Sequence, residues 1–444
     1  MALCAVTTVG LGAGSGLQSA AAAPAAAATP IEAESSVVGV DLAGEWFAHD
    51  LVVHDTLEEF AGGTFGPHAR VERRQFQRSD QSRYSVGPAF VSLRPPTGVE
   101  SVYESPAVRA ERAFTEALLS WNMDLPQGAT AIIELRVGRG SGGREQWSPW
   151  LYVGRVAGRA TPSLDEVLPR QPETNGEAER RDRAASGESI VGGLGNVVTS
   201  FEGGKIDTDY FVAADGQVFE SIQYRVRAGG SFNATPELRE SRQDVAPESA
   251  ELEAGSSGLE PGASSTLDVP ALVVPALLEP SPAVFVDRVA VTLTRPSAEP
   301  PRQPEVLVGR RLSVPFRSQR TAKPEIAGRI CSPTSLAMLL AFRGERDDVA
   351  DAAACAYDPE NDIFGNWPAN VQAAYELGVP AMLTRFANWG DVADAFARGQ
   401  PIIASIRVRR GELAGAPYDA TSGHLIVLKG FDGYGSVFVN DPAA

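Results

Sequence analysis

The sequence predicts a multidomain fold, an N-terminal all-β sandwich followed by a C-terminal α+β domain, on three observations. The 444 residues exceed what one hydrophobic core organises. Up to about residue 296 the apolar residues fall in short alternating runs separated by turn residues. After a Pro-rich run, RPSAEPPRQP at 295–304, apolar stretches of helical spacing appear, each ending at Gly, and strands follow them.

The elements follow in chain order. Within residues 1–36, the segment Met1 to Pro30 is apolar, small-residue-rich and ends in Ala-Ala-Ala-Pro repeats, which predicts an export signal with an A-x-A cleavage site, although no Lys or Arg precedes Arg70. A secreted or cell-envelope location follows as an expectation. The sandwich is expected over 37–296, with strands at Tyr84–Leu93, Ala131–Val137, Trp150–Val156, Phe201, Tyr210–Ala213, Gln217–Val226 and Val284–Thr294, and an Asp215-Gly216 hairpin turn. Two charged, aperiodic stretches, near 170–189 and 240–283, read as disordered insertions. A Pro-rich linker is placed at 297–312 and the second domain at 313–444. That domain is expected to hold helices at Pro333–Phe342, Pro368–Leu377 and Asp391–Ala397, then strands at Ile402–Val408, His424–Phe431 and Ser436–Asn440.

Bulk composition excludes several functions. A net charge of -17 repels nucleic acid and anionic membrane, and no segment is apolar for long enough to span a bilayer. Peptide, protein or glycan partners remain. Three cysteines without CxxC spacing form neither a disulfide framework nor a zinc site. His49, His54 and His68 lie near Asp50 and Asp55 but lack HExxH spacing, so scattered surface histidines are expected, with no metal and no cofactor.

The chemistry concentrates in the second domain. Cys331 precedes Ser332-Pro333, and proline is favoured in the opening turn of a helix, which puts Cys331 at a helix N-terminus where the macrodipole favours a thiolate. Read alone, such a cysteine is more often an inert core residue. Its partners change the reading. Gln319 lies upstream in VPFRSQ and can add a side-chain amide to an oxyanion hole. His424, the one histidine after residue 68, opens a strand in SGHLIVLKGFDG, and Asp441 ends the next one in VFVNDPA. Paired as a hairpin, those strands would lay the carboxylate beside the imidazole. Asn440 is a second candidate for that orienting role. Helices followed by sheet is the papain-like order.

The ordered set VPFRSQ, ICSPTSLAMLL, GNWPANVQAAYELG, SGHLIVLKGFDG and VNDPAA resembles a bacterial family of papain-like cysteine peptidases related to the bacteriocin-processing, double-glycine-leader peptidases. The resemblance covers about Ser313 to Ala444. It implies Cys331 as nucleophile, His424 as base, Asp441 as orienting acid and Gln319 as oxyanion donor, with a peptide or protein substrate. Many relatives carry Gly where this chain has Ser332, and a papain-like sheet usually continues past the position of Asp441, so further chain is expected beyond Ala444.

Other residues have plainer readings. Cys355, in an Ala-rich amphipathic stretch, reads as core, and Trp367 and Trp389 as packing residues. Trp121, Trp147 and Trp150 are expected between the sheets, with cell-wall glycan stacking as the alternative. The rival to a secreted cysteine peptidase is a non-enzymatic secreted binding module carrying a degenerate peptidase-like domain.

Overall fold

The computed structural model describes residues 4–8, 46–73, 88–140, 145–158, 163–167, 197–229, 282–297, 309–321, 323–345, 348–434 and 436–444. The polar stretch near 170–189, the one near 240–283 up to residue 281, residues 298–308 of the Pro-rich connector, and all of 1–36 except Cys4–Thr8 lie outside them.

Alternating apolar residues build two antiparallel sheets. In the first, Gln146–Trp147, Thr130–Arg139, Phe219–Gly229, Glu100–Glu104 and Thr64–Phe65 lie side by side, with Leu151–Ala157 also on Thr130–Arg139 and Val108–Phe114 on Phe219–Gly229. The second runs Ser200–Phe201, Gly204–Asp207, Tyr210–Ala213, Glu116–Asp124, Val284–Ser297, Ala89–Leu93 and Ala69–Arg73, with Trp46–His54 on Val284–Ser297. Leu119, Trp121 and Met123 of one sheet and Ile133, Leu135 and Tyr224 of the other share a core. Each such side chain contributes about 1.5–3 kcal/mol on burial.

Three expectations need correction. The Asp215-Gly216 turn forms, with Gly216 at φ +73, but it is not a hairpin turn: Tyr210–Ala213 and Phe219–Gly229 belong to different sheets, so the chain crosses the sandwich there. His54 is not a surface residue; its ring is buried, its Nδ1 lies 2.9 Å from the Tyr224 hydroxyl, and burial lowers its pKa. Trp121 is buried as expected, but Trp147 and Trp150 are only half-buried. The Arg136 guanidinium stacks on both of these rings and Arg225 on Trp150.

In the C-terminal domain the expected helices appear as Cys331–Arg343, Trp367–Glu376 and Trp389–Ala397, and a fourth occupies Val349–Cys355. Gly344, left-handed at φ +76, ends the first by donating its N–H to the Ala341 and Leu340 carbonyls. Asn366 and Asn388 cap the N-termini of two others through their side-chain oxygens. The helices pack on an antiparallel sheet ordered Arg310–Arg311, Thr421–Phe431, Ile402–Val408, Cys4–Thr8 and Ala381–Arg385, with Val437–Asn440 also on Thr421–Phe431. Arg310–Arg311 therefore already belongs to this sheet. Cys4–Thr8 lies within the stretch read as an export signal, and cleavage at its end would remove this strand.

Ala381–Arg385 ends the sheet, and an open edge exposes unpaired backbone groups at every second residue. The sandwich covers them. Leu383 N–H donates to Ser120 Oγ at 3.0 Å, Leu383 O accepts from Thr292 Oγ1 at 3.2 Å, and Ala381 O accepts from Asn122 Nδ2 at 3.0 Å. Gln372, on the Trp367–Glu376 helix, accepts from Met123 N–H at 3.1 Å and donates to Met123 O at 2.8 Å. These polar side chains are buried. The Gln372→Ala variant leaves two buried backbone groups unpaired and is expected to lose about 2–4 kcal/mol in urea unfolding. A loss below 0.5 kcal/mol would show that the contact between the domains is dispensable.

Candidate active site

Cys331 is the first residue of its helix and Pro333 the third, two residues later than proline's preferred first position. The physical consequence survives, because no N–H of the first turn has an intrahelical partner and a proline there forfeits nothing. The first i to i−4 bond runs from Thr334 N to Ile330 O at 3.0 Å. No side chain caps this N-terminus.

Two contacts bring the helix to its partners. Ser335, one turn beyond Cys331 and on the same face, donates Oγ–H to Leu425 O at 3.2 Å, next to His424 in the Thr421–Phe431 strand. On its other side Ser332 is buried against Gly365, which sits at φ +74; a Cβ there would stand 2.6 Å from Ser332 Oγ. Gly365 is thus fixed both by its left-handed backbone and by the close approach.

His424 is buried, its Nε2 lies 2.7 Å from Asp441 Oδ1, and the ring also hydrogen-bonds the Cys331 side chain. With Nε2 engaged by the carboxylate, Nδ1 is the nitrogen left for sulfur. Burial alone would lower the His424 pKa, but the hydrogen bonds to Asp441 and Cys331 and the electrostatic pull of these two neighbours outweigh it and raise it to about 9. Asp441 follows the Val437–Asn440 strand, which pairs Val427 with Asn440 and so returns the chain alongside His424. Burial would raise its pKa; the His424 hydrogen bond, Ala443 N–H at 2.9 Å and the Tyr418 hydroxyl hold it below the usual carboxylate value.

Of the four residues singled out from sequence, Cys331, His424 and Asp441 meet in one chain of contacts. Gln319 is buried and pinned near them: its N–H donates to Pro442 O at 2.8 Å and its Nε2 to Ala327 O at 2.8 Å. One Nε2 hydrogen serves Ala327, leaving the other for a ligand. Asn440 does not orient the histidine. Its Nδ2 donates to Val314 O at 3.0 Å and its Oδ1 accepts from Lys429 Nζ at 2.5 Å, so its amide ties strand to strand. Cys355 packs, half-buried, against the core.

Sequence reading missed Tyr418. Its hydroxyl donates to Asp441 Oδ2 at 2.9 Å and its ring meets the His424 ring edge-on at 4.9 Å. It lies in the loop between two strands, where no periodicity marks it; its one signal is a lone aromatic six residues before the histidine. Among the described residues no group of His, Cys, Asp or Glu is arranged to hold a metal ion, and no helix is long and apolar enough to cross a membrane.

A thiol at a helix N-terminus, an imidazole touching it and a carboxylate behind the imidazole form the arrangement of a thiol-dependent acyl-transfer centre. Residues 311–444 match the family model of the Peptidase_C39 like family, and so form a cysteine-peptidase-like domain. No curated protein matches the chain.

Proposed function

We propose that the chain is a papain-like cysteine peptidase that hydrolyses peptide bonds, with Cys331 as nucleophile, His424 as base and acid, Asp441 as orienting carboxylate and Gln319 as oxyanion donor. The observation that carries this reading is the doubly engaged, buried ring of His424, held between Cys331 and Asp441. A structural histidine has no reason to face a thiol and a carboxylate at once with its pKa raised to about 9.

The steps follow from the positions. The Cys331 thiolate attacks the scissile carbonyl carbon, a C–S bond forms, and negative charge moves to the carbonyl oxygen. The second Nε2–H of Gln319, with a first-turn N–H of the Cys331 helix, stabilises that charge. As the C–N bond breaks, the His424 imidazolium gives its proton to the leaving amine. A water then attacks the thioester, His424 takes its proton, and the thiolate leaves with the C–S bond pair.

The test is labelling with an epoxide cysteine-peptidase inhibitor. Stoichiometric modification confined to Cys331, absent from Cys331→Ala and strongly slowed in His424→Ala, is expected. No modification of the folded wild-type protein, or equal modification of Cys355, would sink the catalytic reading and favour a binding protein with a degenerate centre.

A further inference from the structure

Cys331 sits between two supports. The Thr421–Phe431 strand brings His424 to one side of it, and the hairpin of Tyr357–Asp358 and Ile363–Phe364 touches the residues that flank it. Ahead of Cys331, Arg329 Nη2 lies 2.9 Å from Asp362 Oδ1 and the guanidinium stacks 5.2 Å from the centre of the Phe364 ring. Ile330, fully buried, shares a small core with Phe364, against which Tyr357 packs. After Cys331, Gly365 packs on Ser332, where a Cβ would stand 2.6 Å from the Ser332 Oγ. Asp362 holds a left-handed φ of +52, uncommon outside glycine and sustained where the surroundings fix it. The Tyr357 hydroxyl donates to its Oδ1 at 3.0 Å.

The far side of the hairpin is held by the sandwich. Glu360, in the hairpin loop, offers one carboxylate oxygen to each of two residues of the Leu151–Ala157 strand: Oε2 accepts from the Tyr152 hydroxyl at 2.6 Å, and Oε1 lies 3.2 Å from Arg155 Nε. Tyr152 is buried, and the Glu360 side chain is 16% exposed. A second anchor lies at the end of the hairpin, where Asp209 of the sandwich accepts from Trp367 N–H at 3.0 Å and Tyr210 meets the Trp367 ring at 5.9 Å. Asp358 connects the two anchors. It accepts from Glu360 N–H at 2.9 Å and from Asn366 Nδ2 at 2.6 Å, so the loop and the segment carrying Gly365 share one carboxylate. A hairpin with only two paired positions has little stability of its own, and its place is set by what grips it.

We propose that Tyr152 and Arg155 are positioning residues for the cysteine centre: through Glu360 they fix the hairpin, and through Arg329, Ile330 and Ser332 the hairpin fixes Cys331 against His424. The proposal rests on the peptidase reading for what Cys331 does and on these contacts for how it is held. It gives the sandwich a part in the reaction without a ligand of its own. Loss of the grip lets the turn that carries the nucleophile drift, and about 1 Å of misplacement costs ~10²-fold in rate.

Full-length wild type, Tyr152→Phe, Glu360→Ala, Arg329→Gln and the Glu360→Ala/Arg329→Gln double variant are compared. Melting curves establish that each is folded at the assay temperature. The second-order rate of Cys331 labelling by a peptidyl epoxide reports on the centre. The titration midpoint of His424, one of four histidines, is read in protein carrying 13C-labelled histidine. Because Cys331 is one of the neighbours that raise this midpoint to about 9, it reports their contact whether or not the chain is a peptidase.

Glu360→Ala is expected to label at least ~10-fold more slowly and to titrate at lower pH. Tyr152→Phe, which keeps the ring and folds even where Glu360→Ala does not, is expected to move both in the same direction by less. Adding Arg329→Gln to Glu360→Ala changes neither much further, because both substitutions break one route. A merely structural role lowers the melting temperature and leaves the rate and midpoint of the folded protein as they are, which overturns the proposal. Effects of Glu360→Ala and Arg329→Gln that simply multiply overturn it as well. A wild-type protein that resists the epoxide refutes the peptidase reading instead, and the His424 midpoint then decides the positioning by itself.

Discussion

His424→Ala is expected to lower kcat/KM by ~10²–10⁴-fold, the usual contribution of a positioned acid–base group. Two functions are lost together: the cation that favours a thiolate at Cys331, and the proton that the leaving amine needs. The wild-type pH profile carries the same signature. Because the pKa of His424 is raised to about 9, the imidazolium persists well above neutrality, and kcat/KM is expected to fall as pH rises through about 9. The linkage to stability has the same sign. A histidine whose folded pKa exceeds the unfolded 6.5 stabilises the fold fully below 6.5, and that contribution is lost as pH rises through about 9. Asp441→Ala removes a hydrogen bond and a charge that both raise this pKa, so it should move the alkaline limb to lower pH. Tyr418→Phe, which frees one Asp441 oxygen without touching the ring contact, should move it less. A profile flat from pH 7 to pH 10, or an alkaline limb unmoved in Asp441→Ala, would contradict the pairing.

Gly430→Ala is expected to cost ~3 kcal/mol or more in urea unfolding and to disable the site with it. Gly430 lies on the His424 strand at φ +152, and an added Cβ would stand 1.8 Å from Arg310 O and 2.8 Å from Arg311 Cα. Those are backbone atoms of the paired Arg310–Arg311 strand, so no rotamer change relieves the clash. On its other edge Gly430 pairs with Phe438 just after a register shift at Leu428. Relief of the clash therefore loosens the strand that delivers Asp441. Gly433→Ala is the control. At φ +87 with its nearest outside neighbour 3.6 Å away, it carries only the left-handed cost of ~1–2 kcal/mol. Equal losses in the two variants would refute the steric argument.

The chemical groups of the site were legible because their physics is local. A cysteine ahead of Ser332-Pro333 announces a helix N-terminus wherever the helix packs. A histidine near the start of one strand and an aspartate just past the end of the next announce their own proximity once a short turn joins the two strands. Tyr418 and Ser335 were not legible. Ser335 reads as a neutral residue inside an apolar helix, and its bond to Leu425 O exists only because that helix lies across the His424 strand.

The sandwich shows the same division at larger scale. In Glu116–Asp124, a strand that the sequence analysis did not single out, Ala117, Leu119, Trp121 and Met123 alternate with Leu118, Ser120 and Asn122, so the two sets lie on opposite faces. Both faces are buried, because the second one closes the edge of the C-terminal sheet. Nothing in a two-residue period distinguishes a hydroxyl that meets water from one that meets the backbone of Leu383. By itself, then, the sequence pointed to a β-rich region followed by a helix-and-strand region, to three of the helices, and to Cys331 and His424 as the groups to bring together, since each depends on neighbours within a turn or a strand. The tertiary structure decided which carboxyl-side group orients the histidine, the role of Tyr418, and the fusion of sandwich and C-terminal domain. Those depend on surfaces whose complementarity arises only once residues hundreds of positions apart are packed together.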